Sequence, residues 1–132
     1  MGIAFSSASS NPESRAMALA KAKEIVASAP VVVFSKSYCP YCVRVKELFK
    51  QLGASFKAIE LDVESDGADL QNALKEWTGQ RTVPNVFING KHIGGCDDTV
   101  ALNTQGKLAN LLTEAGAVAG SASKAKETTV AA

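Results

Sequence analysis

Val31-Val32-Val33-Phe34-Ser35-Lys36-Ser37-Tyr38-Cys39-Pro40-Tyr41-Cys42 is the stretch whose reading decides the fold of this chain. Its apolar opening, Val31 to Ser35, has the unbroken character of a central strand covered on both faces. Past the cysteines, Val45, Leu48, Phe49 and Leu52 keep the spacing of one helical face, and Gly53 supplies a natural stop. Pro40 suits the first helical position, where its missing N–H costs nothing. A strand therefore feeds a helix through a short turn, and Cys39 falls at the helix cap. The unpaired amides of the first turn and the positive end of the macrodipole favour thiolate over thiol there. Cys42 lies nearly one turn inside, in a less polar setting. The pattern points to thiol–disulfide chemistry with Cys39 as nucleophile.

Working outward, Ala18, Ala22, Ile25, Val26 and Ala29 share one face of a helix expected over residues 15–29, stopped by Pro30. Residues 56–62 read as a second strand. Asp66 is placed to cap a third helix with Leu70, Ala73, Leu74 and Trp77 on one face and Gly79 at its end. Asn89-Gly90 between Val86-Phe87-Ile88 and Lys91-His92-Ile93 is the preferred sequence of a type I′ hairpin. Asp97 and Asp98 open a short helix, and Leu108, Leu111, Leu112 and Ala115 line a last one before Gly116. The order α-β-α-β-α-β-β-α-α, with a right-handed βαβ unit followed by a hairpin, predicts an α/β domain of the thioredoxin-like kind. Its sheet is four-stranded and mixed, with helices on both faces. The domain is expected over residues 15–116, between a flexible extension at 1–14 and a flexible tail at 117–132.

The 132 residues suffice for one core, and the 14 basic and 13 acidic side chains are interspersed, which gives no footprint for nucleic acid. Three cysteines are too few for a secreted disulfide framework, and no apolar signal segment opens the chain; a cytoplasmic, reducing location is expected. No stretch approaches a membrane span. Met1-Gly2-Ile3-Ala4-Phe5-Ser6 fits the N-myristoylation pattern, so weak membrane association is expected only if Gly2 is acylated.

Cys39, Cys42, Cys96 and His92 also supply the four ligands a zinc site needs. The helix-opening position of Pro40-Tyr41 and the lack of a second paired Cys-x-x-Cys argue against it, so no metal is expected and His92 is read as a partly exposed strand residue. Lys36 adds positive charge near Cys39. Trp77 is read as core and the Cys96 thiol as a packing group without a redox part.

Three motifs in order, Cys39-Pro40-Tyr41-Cys42, Thr82-Val83-Pro84 and Gly94-Gly95-Cys96-Asp97-Asp98, resemble the dithiol class of glutaredoxins over about residues 16–116. The approach Glu76-Trp77-Thr78-Gly79-Gln80-Arg81 is similar to that of the plant cytosolic type. This resemblance implies glutathione as co-substrate with no tightly bound cofactor, disulfide-containing or glutathionylated proteins as partners, and a monomer. It implies a cis bond before Pro84, with Thr82, Val83 and Pro84 facing Cys39 and the Val83 backbone offered as a strand-like edge. It further assigns Cys96 and Asp97 to the γ-glutamyl end, Lys36 and Gln71 to the glycyl carboxylate, and Tyr41 to one wall. Gly94 and Gly95 are expected to admit a close backbone approach. The alternative it carries is a [2Fe–2S] carrier, a dimer bridged through the first active-site cysteine and two glutathiones. Pro40 disfavours it, because relatives that assemble clusters tend to have a smaller or less rigid residue there.

Overall fold

A computed structural model describes residues 12–118. Helix α1 (Pro12–Ala27) precedes strand β1 (Val31–Ser35), α2 (Pro40–Gln51), β2 (Lys57–Glu60) and α3 (Gly67–Thr78). The hairpin β3 (Asn85–Ile88) and β4 (Lys91–Gly94) follows, then α4 (Cys96–Thr104) and α5 (Leu108–Glu114). Strand order is β2-β1-β3-β4, with β1 parallel to β2 and antiparallel to β3, and β3 antiparallel to β4. This is the thioredoxin-like arrangement, and all nine elements expected from the sequence are present.

The sheet separates two cores. Val31 and Val33 of β1 face α2, α4 and α5 with Val45, Phe49, Leu108 and Leu112. Val32 and Phe34, pointing the other way because side chains alternate along a strand, pack under α1 and α3 with Val26, Leu70, Leu74 and Phe87. Trp77, read as core, is partly buried and covers the edge of this cluster, its ring stacked on Phe87 at 5.0 Å. Asn89 and Gly90 both take positive φ, as the hairpin turn requires.

Several boundaries differ from the sequence reading. Helix α1 begins at Pro12 and not at Arg15, with proline at its first position and Glu13 in its first turn, so residues 12–14 belong to the folded part. At the other end Ala117 is buried and its carbonyl accepts from the Ser55 amide at 2.8 Å, so the domain continues past Gly116. Residues 1–11 and 119–132, with the myristoylation pattern and most of the expected tail, lie outside the described residues. Strand β2 is shorter than residues 56–62, because Asp62 leaves the ladder to bond Ser37. Asp66 makes no side-chain cap on α3; it pairs with Lys21 of α1 instead. What the entry to α3 does require is Gly67, where a Cβ would collide with the Leu61 carbonyl oxygen.

Candidate active site

The turn between β1 and α2 is tied at both ends. The Cys39 amide donates to the Lys36 carbonyl at 3.1 Å, and the Ser37 amide donates to Asp62 Oδ1 at 3.0 Å, with the Ser37 hydroxyl on Asp62 Oδ2. Those two bonds from Ser37, above all the hydroxyl's, hold the Asp62 carboxyl below its ordinary range, helped by the charge of Lys36. Cys39 is the N-cap of α2 with an extended backbone, and its Sγ accepts the Cys42 amide at 3.3 Å. One turn in, Cys42 is fully buried. Burial, then hydrogen bonding with Cys39, pushes its thiol up to about 11. The two sulfurs thus occupy different environments, as the cap position implies.

The Val83–Pro84 bond is cis, and the Val83 carbonyl oxygen lies 3.9 Å from Cys39 Sγ. The segment is clamped by a residue that the sequence did not single out. Gln80 Nε2 donates to the Thr82 carbonyl at 3.1 Å and to the Pro84 carbonyl at 3.0 Å, so one side-chain amide holds the carbonyls before and after the Val83–Pro84 pair.

Beside the clamp lies a groove of about 350 Å³ lined by Tyr41, Gln80, Thr82, Val83, Pro84, Gly95, Cys96, Asp97 and Asp98. Six of the eight residues assigned to ligand by resemblance, Tyr41, Thr82, Val83, Pro84, Cys96 and Asp97, are therefore on its walls. The other two are not. Lys36 sits in the turn before Cys39, and Gln71 Nε2 donates to the Arg81 carbonyl at 2.9 Å, bracing the approach to the clamp.

The far wall is the start of α4. Asp98 Oδ2 accepts the Gly95 amide at 3.1 Å, which orients that helix end toward the groove. Of the two glycines, Gly94 is the one the geometry needs: its φ is +125° and a Cβ would collide with the Asp98 carboxylate, whereas a Cβ on Gly95 would stand 3.6 Å from its nearest neighbour. Arg44, one turn beyond Tyr41 in α2, lies with its guanidinium 5.8 Å from the Tyr41 ring centroid and also faces the Cys96 thiol. Burial raises that thiol nonetheless. His92 is on the exposed side of β4 with its ring 5.2 Å from Phe87, and burial lowers its pKa. Among the described residues no three His, Cys, Asp or Glu side chains are grouped to hold a metal ion.

Asp62, Gln80, Asp98 and Arg44 were missed as site residues. Only the local ones carried a signal: Asp98 stands three residues after Gly95 at a helix start, and Arg44 three after Tyr41 on one helix.

Comparison with known proteins gives the arrangement a family. The glutaredoxin family model matches residues 31–93. The chain is similar to Glutaredoxin-C6 of Oryza sativa subsp. japonica, 83% identical over 106 residues that cover 80% of this chain and 95% of that one. Among solved structures it is similar to a buckwheat glutaredoxin–glutathione complex (61% identity, TM-score 0.82, covering 83% of this chain and 99% of that one). It is also similar to a wheat glutaredoxin (84% identity, TM-score 0.76, covering 77% and 96%). A capped Cys-x-x-Cys facing a Val-Pro clamp, on this fold and at these identities, makes the chain a member of the glutaredoxin family and a thiol–disulfide oxidoreductase.

Proposed function

We propose that this protein reduces protein–glutathione mixed disulfides, and protein or small-molecule disulfides, at the expense of glutathione. The observation that carries the reading is the position of Cys39 Sγ, which accepts a helix amide at 3.3 Å and lies 3.9 Å from the Val83 carbonyl beside an open groove. The Cys39 thiolate attacks the glutathione sulfur of the mixed disulfide; the S–S bond breaks and its electron pair leaves with the protein thiolate, which takes a proton from water. Free glutathione thiolate then attacks the glutathione sulfur on Cys39, releasing glutathione disulfide. With protein disulfides, Cys42 attacks the mixed disulfide at Cys39 and closes a Cys39–Cys42 bridge, which two glutathiones reopen.

Glutathione is the co-substrate in this scheme, and the buckwheat relative, whose structure is a complex with it, supports that choice. Its cysteinyl backbone pairs with Val83 as a one-residue strand. The γ-glutamyl carboxylate meets the amides that open α4 at Cys96 and Asp97, and its ammonium meets the Asp97 side chain. Lys36 and Gln71 hold the glycyl carboxylate from outside the groove walls. Action as a monomer in the reducing cytoplasm belongs to the same proposal and rests on this thiol chemistry.

Glutathione-coupled reduction of a small mixed disulfide tests it. Cys39→Ser is expected to abolish turnover and Cys42→Ser to retain it. Loss in both variants alike would end the one-thiol route.

A further inference from the structure

Side-chain amides hold three of the four carbonyls of residues 81–84. Gln71 takes that of Arg81, and Gln80 takes those of Thr82 and Pro84. The Val83 carbonyl is left to Cys39 Sγ, at 3.9 Å. The nitrogen of the Gln80 side chain is the atom that fits between the two carbonyl oxygens, because the amide's own oxygen in that place would meet both as a third acceptor with no donor.

Gln80 is itself fixed through its backbone. Its N–H donates to Thr78 Oγ1 at 3.1 Å, and its carbonyl accepts from Nδ2 of the buried Asn85 at 3.4 Å. Thr78 is anchored in turn, its hydroxyl donating to the Leu74 carbonyl at 2.8 Å. A change of the Gln80 side chain leaves these backbone bonds in place. That side chain also stands at a seam: the position a Cβ on Gly95 would take is 3.8 Å from Gln80 Nε2 and 3.6 Å from the Pro84 carbonyl oxygen. Gln80 thus lies where the Thr82–Pro84 segment meets the start of α4, and both form walls of the groove.

We propose that Gln80 is a positioning residue that sets the preference of this enzyme for glutathionyl disulfides over plain ones. The Thr82 carbonyl and the Val83 N–H belong to one planar trans peptide and point in opposite directions, so a bond that fixes the first aims the second. The bond to the Pro84 carbonyl secures the segment on the other side of Val83. A substrate with a peptide backbone uses the Val83 edge, and a disulfide without one does not. Gln80 acts through that edge and does not touch the reacting sulfur. Its role rests on the glutathione reading proposed above, and adds the side chain that holds the edge in register with α4.

Second-order rates of the reduced protein with glutathione disulfide and with bis(2-hydroxyethyl) disulfide test this, measured in a Cys42→Ser, Cys96→Ala background by acid quench and intact mass. In each reaction the Cys39 thiolate attacks one sulfur, keeps that half as a mixed disulfide and releases the other half as a thiolate, which takes a proton from water. Gln80→Met, which keeps the length of the side chain and loses its donor, and Gln80→Ala are each expected to lower the glutathione disulfide rate about tenfold, the worth of one or two hydrogen bonds to the ligand. The rate with bis(2-hydroxyethyl) disulfide is expected to stay within about twofold, whereas a general loss of structure or of Cys39 reactivity would lower both rates alike. A ratio of the two rates unchanged in either variant, or a fall of both rates together, overturns the role of Gln80. A parent that reacts no faster with glutathione disulfide than with the plain disulfide would overturn the glutathione reading itself, and the role of Gln80 with it.

Discussion

Cys39 and Cys42 differ by one helical turn, and that turn is enough to make one sulfur a reagent and the other a reserve. Cys39 is half-buried with an amide on its sulfur; Cys42 is sealed beneath it, and Cys96, 6% exposed, is raised by burial as well. Brief treatment of the reduced protein with iodoacetamide at pH 7 is therefore expected to alkylate Cys39 and spare Cys42 and Cys96, read by peptide mass mapping. The sign of the pH effect follows from the raised Cys42 thiol: its labelling is expected to grow only as pH approaches about 11. Equal labelling of the two cysteines at pH 7 would contradict their division of labour. The cap position of Cys39 was legible because every cue is local: an apolar run, a proline at the next position and a helical stripe. Asp62 and Gln80 were not, because what makes them matter is a partner. Asp62 reaches 25 residues back to Ser37, and Gln80 folds over its own turn onto Thr82 and Pro84, neither of which a spacing rule encodes.

Elements show the same division between local and distant causes. The order of helices and strands was readable from periodicity, and the hairpin from Asn89-Gly90, because one face of each element meets the core. The cap expected from Asp66 failed because Lys21, 45 residues earlier, claims its carboxylate. At α4 the local rule held and one side chain gained a further role, since Asp98 secures the Gly95 amide and Gly94 leaves it room. Gly94→Ala therefore adds both a positive-φ strain and a collision with that carboxylate, and is expected to cost about 1–3 kcal/mol in denaturant unfolding. The same variant is expected to raise KM for the glutathionylated substrate, since the amides opening α4 lose their orientation. Gly95→Ala, at φ −96° with neighbours no nearer than 3.6 Å, is expected to cost under about 1 kcal/mol. Equal losses in the two would mean that the Asp98 cap does not govern this helix end.

At the scale of the molecule the sheet divides stability from chemistry. The face under α2 and α4 carries Cys42 and the groove beside it, whereas the face under α1 and α3 is packed with Phe34, Phe87, Leu70 and Leu74 and meets the site where Val83 packs against its edge. The mixed sheet with helices on both sides followed from the element order, but the division of labour between faces did not. It depends on which way Ser35 and Phe34 point and on what α2 brings to meet them. Phe87 sits at the centre of the quieter face, 1% exposed, edge-on to Phe34 at 5.9 Å and stacked under Trp77 at 5.0 Å. Replacing it with alanine removes a ring from a close-packed site that cannot collapse onto the gap without moving β1 or α3, and is expected to cost about 3–5 kcal/mol. A domain with about 5–15 kcal/mol in hand remains largely folded at 25 °C but unfolds at a clearly lower urea midpoint. Because the ring points away from Cys39, kcat/KM per folded molecule is expected to stay within about twofold, and Phe87→Leu is expected to recover more than half of the lost stability. A Phe87→Ala protein with an unchanged urea midpoint, or one of normal stability that had lost its turnover, would show that the two faces are not separable in this way.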